Sequence, residues 1–380
     1  MERNMICAQY CIDVIRAVMQ ERTVPAIPQG VSLQDLFDYC KMNSVEAMVF
    51  NGLSGLEVDE TDPIWMHWAN RAEMILTQSI VQLADRDTVF AALTEAGLDV
   101  LPVKGSWLKE QYPQLDYRQM SDLDMLIHRE DREKAREIML RLGYEEEQVL
   151  SPHHDGYEKA PYTAVELHLQ LLPDGDEHCD YYQNIWEKAK SVEGYSRLYR
   201  LLVEDEYIFC MLHMKHHLEE MGCGIRMVLD SVVYRNLYPD MDRTYLAREF
   251  RQLGIEDFVK QIENMSDCWF ATGENIPDHL VKTAAFILWS GTYGSLDTAV
   301  QNRLDVLKEK YKNPLLVMTA YWGSRFFRPL DEMKGYYPIL NKLPVLLPVF
   351  WIVRIAKKVS TKPAALMQHF KEVCKEGAEK

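Results

Sequence analysis

Two aspartates separated by one leucine, Asp122 and Asp124, lie in an apolar stretch that is typical of a short strand. Side chains two residues apart on a strand project from the same face, so both carboxylates are expected to point the same way. Buried carboxylates need a cation, and two oxygen ligands on one rigid face suit Mg²⁺, which takes substrate phosphates as further ligands. The alternative is a solvated edge strand whose charges prevent aggregation.

A third carboxylate, Glu166, lies between apolar residues on a later predicted strand. If the two strands are neighbours, three carboxylates converge, which suits a two-metal in-line displacement at phosphorus. His168 alternates with Glu166 and would share its face. We expect it to orient the carboxylate rather than to bind the metal itself.

A glycine and a serine, Gly105 and Ser106, follow another short strand at the start of a helical turn. Backbone N–H groups are unpaired at such a position, and a glycine lets a phosphate approach closely. The Ser106 hydroxyl offers one more hydrogen-bond donor. This turn is therefore a candidate phosphate site, and Lys104 beside it is a candidate either for neutralising phosphate or for pairing with one of the acids.

Three histidines, His213, His216 and His217, share one predicted helix. His213 and His217 are four residues apart and could ligate zinc, but the sequence offers no third ligand with diagnostic spacing, and structural histidines are more common. Arg226 and Asp230 are also four residues apart, and the simplest interpretation is a helix ion pair.

The elements that must position these residues indicate an α+β chain. Residues 62–97 are predicted to form one long helix, or two in line, ended by Gly97. We predict a helical region over 1–97, a mixed α/β unit of about four strands over 98–173, and a helical domain over 174–380. The helices predicted in the last region are 180–190, 203–221, 225–237, 242–253, 255–271, 278–291, 294–311, 313–327 and 344–358.

Charge and composition narrow the range of partners. Forty-two basic residues against 58 acidic ones give a formal net charge of −16, which argues against broad binding to a nucleic acid backbone. Eight cysteines without CxxC spacing favour reduced thiols and a cytoplasmic location. We expect no signal peptide, and the most apolar run, 343–353, is too short to span a bilayer.

Taken together, these motifs resemble the nucleotidyltransferase superfamily related to DNA polymerase β. More closely, the chain resembles a bacterial family of uncharacterised nucleotidyltransferases, most clearly over 98–240 and 325–358. One departure is the spacing of 15 residues between Ser106 and Asp122, which is longer than in compact members of the superfamily. The matching residues are Lys104-Gly105, Leu108, Tyr112-Pro113, Arg118, Asp122-Leu-Asp124 and Glu166-Leu-His168.

The resemblance implies a role for each matching residue. Asp122 and Asp124 would bind two Mg²⁺ ions, and Glu166 would complete the metal site on the acceptor side. Gly105 and Ser106 would hold the β- and γ-phosphates of an NTP such as ATP. Phosphate charge would be neutralised by Lys104 and Arg118.

The resemblance also implies that the helical half faces the cleft. The helix that carries His213, His216 and His217, with Arg226 and Asp230 after it, would then form its far wall and contact the nucleotide or the acceptor. The expected reaction is transfer of a nucleoside monophosphate to an unknown small-molecule or protein acceptor. The alternatives are a nucleotide-binding regulator without turnover and a metal-dependent phosphohydrolase.

Overall fold

The computed structural model describes residues 2–148, 153–172, 176–294 and 296–361, together with 367, 369–371 and 373. Helices predominate in this part of the chain, and a small mixed sheet lies among them. The predicted α+β class, a small mixed-sheet core embedded in a mostly helical chain, is confirmed. None of the described helices has the length and apolar character needed to cross a bilayer.

The helices begin and end close to the predicted positions. Asp62 caps the longest helix by accepting a 2.7 Å hydrogen bond from the backbone N–H of Ile64, and Gly97, with a positive φ of 85°, follows its end. Up to the sheet and within it the helices are α1 (Glu2–Met19), α2 (Leu33–Met42), α3 (Glu46–Leu53), α4 (Pro63–Glu95), α5 (Gly105–Leu108) and α6 (Arg132–Arg141). After the sheet they are α7 (Ile185–Lys188), α8 (Val203–Glu220), α9 (Ile225–Leu237), α10 (Arg243–Gln252), α11 (Glu256–Ser266), α12 (Val281–Ser290), α13 (Leu296–Lys310), α14 (Pro314–Phe326), α15 (Leu330–Tyr336) and α16 (Leu347–Thr361).

The sheet has five strands rather than the four predicted, in the spatial order β1-β2-β5-β4-β3. β2 and β5 are parallel, whereas the other neighbours are antiparallel. The strands are β1 (Leu101–Pro102), β2 (Leu123–Leu126), β3 (Glu145–Gln148), β4 (His154–Lys159) and β5 (Thr163–His168). The strand that sequence reasoning missed is β4.

The prediction that the chain is helical throughout after Pro173 is wrong in one segment. Over 180–190 the structure has a 3₁₀ turn (Cys179–Tyr182) and the short helix α7 rather than one continuous helix. Two short strands then pair with each other, β6 (Lys190–Ser191) and β7 (Tyr199–Arg200).

Alternate residues of the central strands enter two different cores. Met125 and Leu167 pack with residues of α4 and α6 in the smaller core, whereas Leu126 belongs to the larger core formed with α8 and α9. The acids of β2 and β5 lie on the same face of the sheet as Leu126, and they therefore face helices α8 and α9. The larger core draws residues from 1–97, 98–173 and 174–380, and the division of the chain at these boundaries stays a prediction.

Candidate active site

A cavity of about 670 Å³ lies between the sheet and helices α8 and α9. Two groups of polar side chains line it from opposite sides. Those on the sheet side, called here the sheet wall, are Lys104, Asp122, Asp124 and Glu166; those on the helical side, called the helical wall, are His213, His217, Arg226 and Asp230.

The register of two parallel strands brings the acids together. Asp124 on β2 lies directly opposite Glu166 on β5, so both side chains leave the same face of the sheet. Asp122 comes just before β2, and its side chain lines the same cavity. The three predicted acids therefore share one cavity.

Two basic side chains contact the most deeply buried of these acids. Lys104 Nζ donates a 2.8 Å hydrogen bond to Asp124 Oδ1, and His168 Nε2 is 2.8 Å from the same oxygen. Burial alone would raise the pKa of Asp124, but the Lys104 charge and the His168 contact outweigh it and lower the pKa. His168 also lies 3.4 Å from Glu166 Oε2, which lowers the pKa of Glu166.

The sheet wall nevertheless keeps an excess of negative charge. Burial raises the pKa of Asp122 to about 6, and the neighbouring charge of Asp124 acts in the same direction. Three carboxylates face one lysine and two histidines, His154 and His168, and their oxygens are the ligands that Mg²⁺ prefers. The residues present therefore fit a divalent cation, which would supply the missing positive charge.

The turn between β1 and α5 is held tightly. Lys104 has a φ of 53°, which is rare for a residue with a side chain and stores strain beside the acids. A Cβ on Gly105 would lie 2.2 Å from Arg118 Nη1 and 2.4 Å from Met120 Sδ. The glycine is thus required by close packing against protein atoms, whatever it also does for a phosphate.

Ser106 is fully buried and is not among the described residues that line the cavity. Its hydroxyl donates a 2.9 Å hydrogen bond to the backbone oxygen of Asp124. The hydroxyl therefore fixes the turn to β2 and is not available as the phosphate donor that the sequence suggested.

The guanidinium of Arg118 is also bound by another residue of the same chain. Its Nε and Nη2 each donate a 2.9 Å hydrogen bond to the carboxylate of Asp230, and the Tyr112 hydroxyl donates to the same group at 2.6 Å. This buried bidentate pair joins the sheet unit to α9. It replaces the helix ion pair between Arg226 and Asp230 suggested by their spacing, and it occupies the guanidinium predicted to bind phosphate.

Arg226 lines the cavity, as Arg118 does, but no carboxylate in the described part of the chain binds it. The side chain is buried, its Nε has no hydrogen-bond partner, and it forms no ion pair with any residue of the described ranges. His213 and His217 lie beside it on the helical wall. Burial lowers the pKa of both, to about 4 for His217, with the Lys104 charge acting in the same direction. Both imidazoles are therefore neutral at pH 7.

His216 lies apart from its two neighbours. It is not among the described residues that line the cavity, and its Nε2 is 3.4 Å from Asp176 Oδ2. The expectation that His216 forms part of the far wall does not match this position. Residues 213 and 217 share a helix face because they are four apart, whereas 216 is displaced by about 100° from 217.

Sequence reasoning missed His154, which also lines the cavity. It pairs with His168 across β4 and β5, and its Nε2 is 3.9 Å from Glu166 Oε1. The adjacent histidines at 153 and 154 are visible in the sequence. Their position beside Glu166 becomes clear only when β4 is identified as a strand that pairs with β5.

Comparison with known families agrees with this arrangement. The family model described as "uncharacterised nucleotidyltransferase" matches residues 29–271, well over half of the chain. The protein therefore belongs to this family of nucleotidyltransferases. The matched range includes the motifs of 98–240 but not the C-terminal segment 325–358. No significant match was found among curated proteins or solved structures.

Proposed function

We propose that the protein catalyses Mg²⁺-dependent transfer of a nucleoside monophosphate from an NTP to an acceptor, with release of pyrophosphate. The observation that carries this proposal is the convergence of Asp122, Asp124 and Glu166 on one cavity in a member of a nucleotidyltransferase family. Paired carboxylates on a rigid sheet suit phosphoryl chemistry because catalysis there is mostly positioning and charge stabilisation.

The three acids would hold two Mg²⁺ ions, which supply charge neutralisation at the transferring phosphorus. Lys104 and Arg226 approach the cavity from opposite sides and provide cationic contacts for the triphosphate. Glu166 is 32% exposed, against 6% for Asp124, and is therefore the acid most accessible to an acceptor. Glu166 would complete the metal site on the acceptor side and so lower the pKa of an acceptor hydroxyl. The hydroxyl oxygen forms a bond to the α-phosphorus as the bond to the departing pyrophosphate breaks, and its proton is released to water.

The acceptor is a small molecule or a protein. A net charge of −16 repels a long nucleic acid backbone, whereas a compact acceptor needs only the local charges of the cavity. Seven of the eight cysteines are free thiols in the described residues, which supports a reducing compartment such as the cytoplasm. A bacterial origin and ATP as the donor remain parts of the proposal.

The test is incubation of the purified protein with each α-³²P-labelled NTP, Mg²⁺ and a cell extract. Transfer predicts label in an acceptor, whereas γ-³²P-labelled NTP should leave the acceptor unlabelled. Asp124→Asn should abolish labelling, and Asp257→Asn, which changes a largely exposed aspartate on α11, should leave it intact.

Two other results would replace the proposal. A phosphohydrolase would break down the NTP in the absence of any acceptor, with Asp124→Asn again inactive. A regulator would bind nucleotide, measured by equilibrium dialysis, yet neither label an acceptor nor consume the NTP.

A further inference from the structure

Three side chains with metal-binding atoms meet outside the cavity. They are Asp176, His178 and His216, and one ligand atom from each lies within 4.8 Å of the other two. Asp176 and His178 belong to the segment that follows β5, and His216 belongs to α8. None of the three is among the described residues that line the candidate active site.

One ring nitrogen of His178 has a free lone pair, and that nitrogen belongs to this cluster. Its Nε2 is 2.8 Å from the backbone oxygen of Leu253, an acceptor only, so Nε2 carries the proton. Nδ1 is then the basic nitrogen, and it is buried without a hydrogen-bond partner. A carbonyl that fixes the distal N–H of an imidazole is the usual support of a metal-binding histidine.

The separations between the groups fit coordination better than hydrogen bonding. His178 Nδ1 is 3.5 Å from Asp176 Oδ1, and His216 Nε2 is 3.4 Å from Asp176 Oδ2. Both distances exceed the roughly 2.7–3.2 Å of an N–H···O hydrogen bond. Each is close to the separation of about 3.4 Å between two donors on a tetrahedral Zn²⁺ ion with bonds near 2.1 Å, and the two imidazoles approach different oxygens of the Asp176 carboxylate.

We propose that Asp176, His178 and His216 bind one Zn²⁺ ion. Two imidazoles and a carboxylate are a common zinc donor set, and a fourth position remains for water. The ion would join the segment after β5 to α8. Because β5 carries Glu166 and α8 carries His213 and His217, zinc would hold the sheet wall against the helical wall.

The test is zinc titration of the full chain after dialysis against a chelator, with bound metal measured by atomic emission. The background is Glu166→Gln, which removes one member of the other group of possible ligands, His154, Glu166 and His168 in the cavity. We expect one equivalent of Zn²⁺, and replacement by Co²⁺ should give the strong visible absorption of a tetrahedral site. Loss of even a supporting partner weakens metal binding 10–100-fold, so His178→Gln or His216→Gln should weaken it by about 100-fold or more.

Two matched variants identify the ligands. His279→Gln alters an exposed histidine far along the chain. His213→Gln alters the other possible pair of zinc ligands on α8, His213 and His217. Both variants should still bind one equivalent of Zn²⁺. His216→Gln changes a partly exposed residue, so it keeps the test usable if the buried His178 variant does not fold. Absence of zinc from the background protein, or zinc retained when His216→Gln is added to it, would overturn the assignment.

Discussion

The two walls of the cavity deal with charge in opposite ways. On the sheet wall three carboxylates share the positive charge of Lys104 and the contact of His168, and a negative excess remains. On the helical wall Asp230 is fully matched by Arg118, the histidines are neutral, and Arg226 has no partner among the described residues.

The difference in charge between the two walls indicates what kind of ligand fits the cavity. A site with excess carboxylate on one side and an unpaired guanidinium on the other suits a molecule that presents both a divalent cation and a polyanion. A nucleoside triphosphate with its metal ions has this polarity, since the metal neutralises the acids and the phosphates reach the arginine. The groups that would bind this ligand are distinct from the Arg118–Asp230 pair, which holds the two walls together.

The largest effect is expected on the sheet wall. Asp124→Asn should reduce transfer by a factor of about 10⁴ or more, because the loss of a ligand removes the charge stabilisation given by the metal. Labelling rates compared with those of Asp257→Asn measure the loss. The variant should also be less stable, since the Lys104 charge and the His168 contact lose the negative charge of Asp124. A fully active Asp124→Asn would remove the sheet wall from the chemistry.

The contact between the walls should give the next largest effect. Arg118→Met leaves Asp230 buried and without its cation, which should lower the free energy of unfolding by about 3–5 kcal/mol. Urea denaturation measures this. Arg243→Met, which breaks an exposed pair with Glu263, should cost less than about 1 kcal/mol. Equal losses in the two variants would mean that the buried pair does not join the walls as described.

A smaller, kinetic effect is expected from the helical wall. Arg226→Ala should raise KM for the NTP by about 10–100-fold, the equivalent of one or two charge-assisted hydrogen bonds. Its melting temperature should stay the same or rise, because a buried guanidinium without a partner is removed. A lowered melting temperature with an unchanged KM would instead assign Arg226 a structural role.

A pH-dependent effect concerns a cation behind the cavity. Lys109 is fully buried and donates to Ser79 Oγ and to the backbone oxygen of Arg118. Burial lowers its pKa to about 7, and the charges of Arg118 and Arg226 add to this. Between pH 7 and 10 the unfolded chain therefore binds more protons at this lysine than the folded chain does, so stability rises with pH.

Replacing this lysine should remove that slope. The difference in unfolding free energy between the wild type and Lys109→Met should grow by up to about 1.4 kcal/mol per pH unit from pH 7 to 10. Lys260→Met, at an exposed position, should show no such trend. Urea denaturation at several pH values distinguishes the two, and a flat difference for Lys109→Met would contradict the lowered pKa.

Much of the fold follows from local signals. The long helix was predicted to within a residue or two because Asp62, Pro63 and Gly97 mark its ends. The β4 strand was missed because Asp155 and Gly156 disfavour strands in isolation. Pairing with β3 on one side and β5 on the other overrides that preference.

The site was predictable where strand alternation places the acids, on β2 and on β5. The alternation of Asp122, Leu123 and Asp124 follows from strand geometry alone. The Arg118–Asp230 pair joins residues 112 positions apart, and no local pattern reveals it. Likewise, the Ser106 hydroxyl is taken up by a carbonyl of the neighbouring strand, which depends on how β1 and β2 pack.

The larger core has a consequence for how the chain unfolds. It runs without a break from Cys7 on α1 to Leu288 on α12, and it includes Leu126 from the sheet. Melting α1 would therefore expose apolar surface on α2, α3 and the segment 267–272, and that segment in turn packs on α9 and α11, so these elements gain their stability together rather than in turn. Denaturant should act on this part of the chain as on one cooperative unit, and a fragment limited to 98–173 would lack the partners that bury half of its sheet.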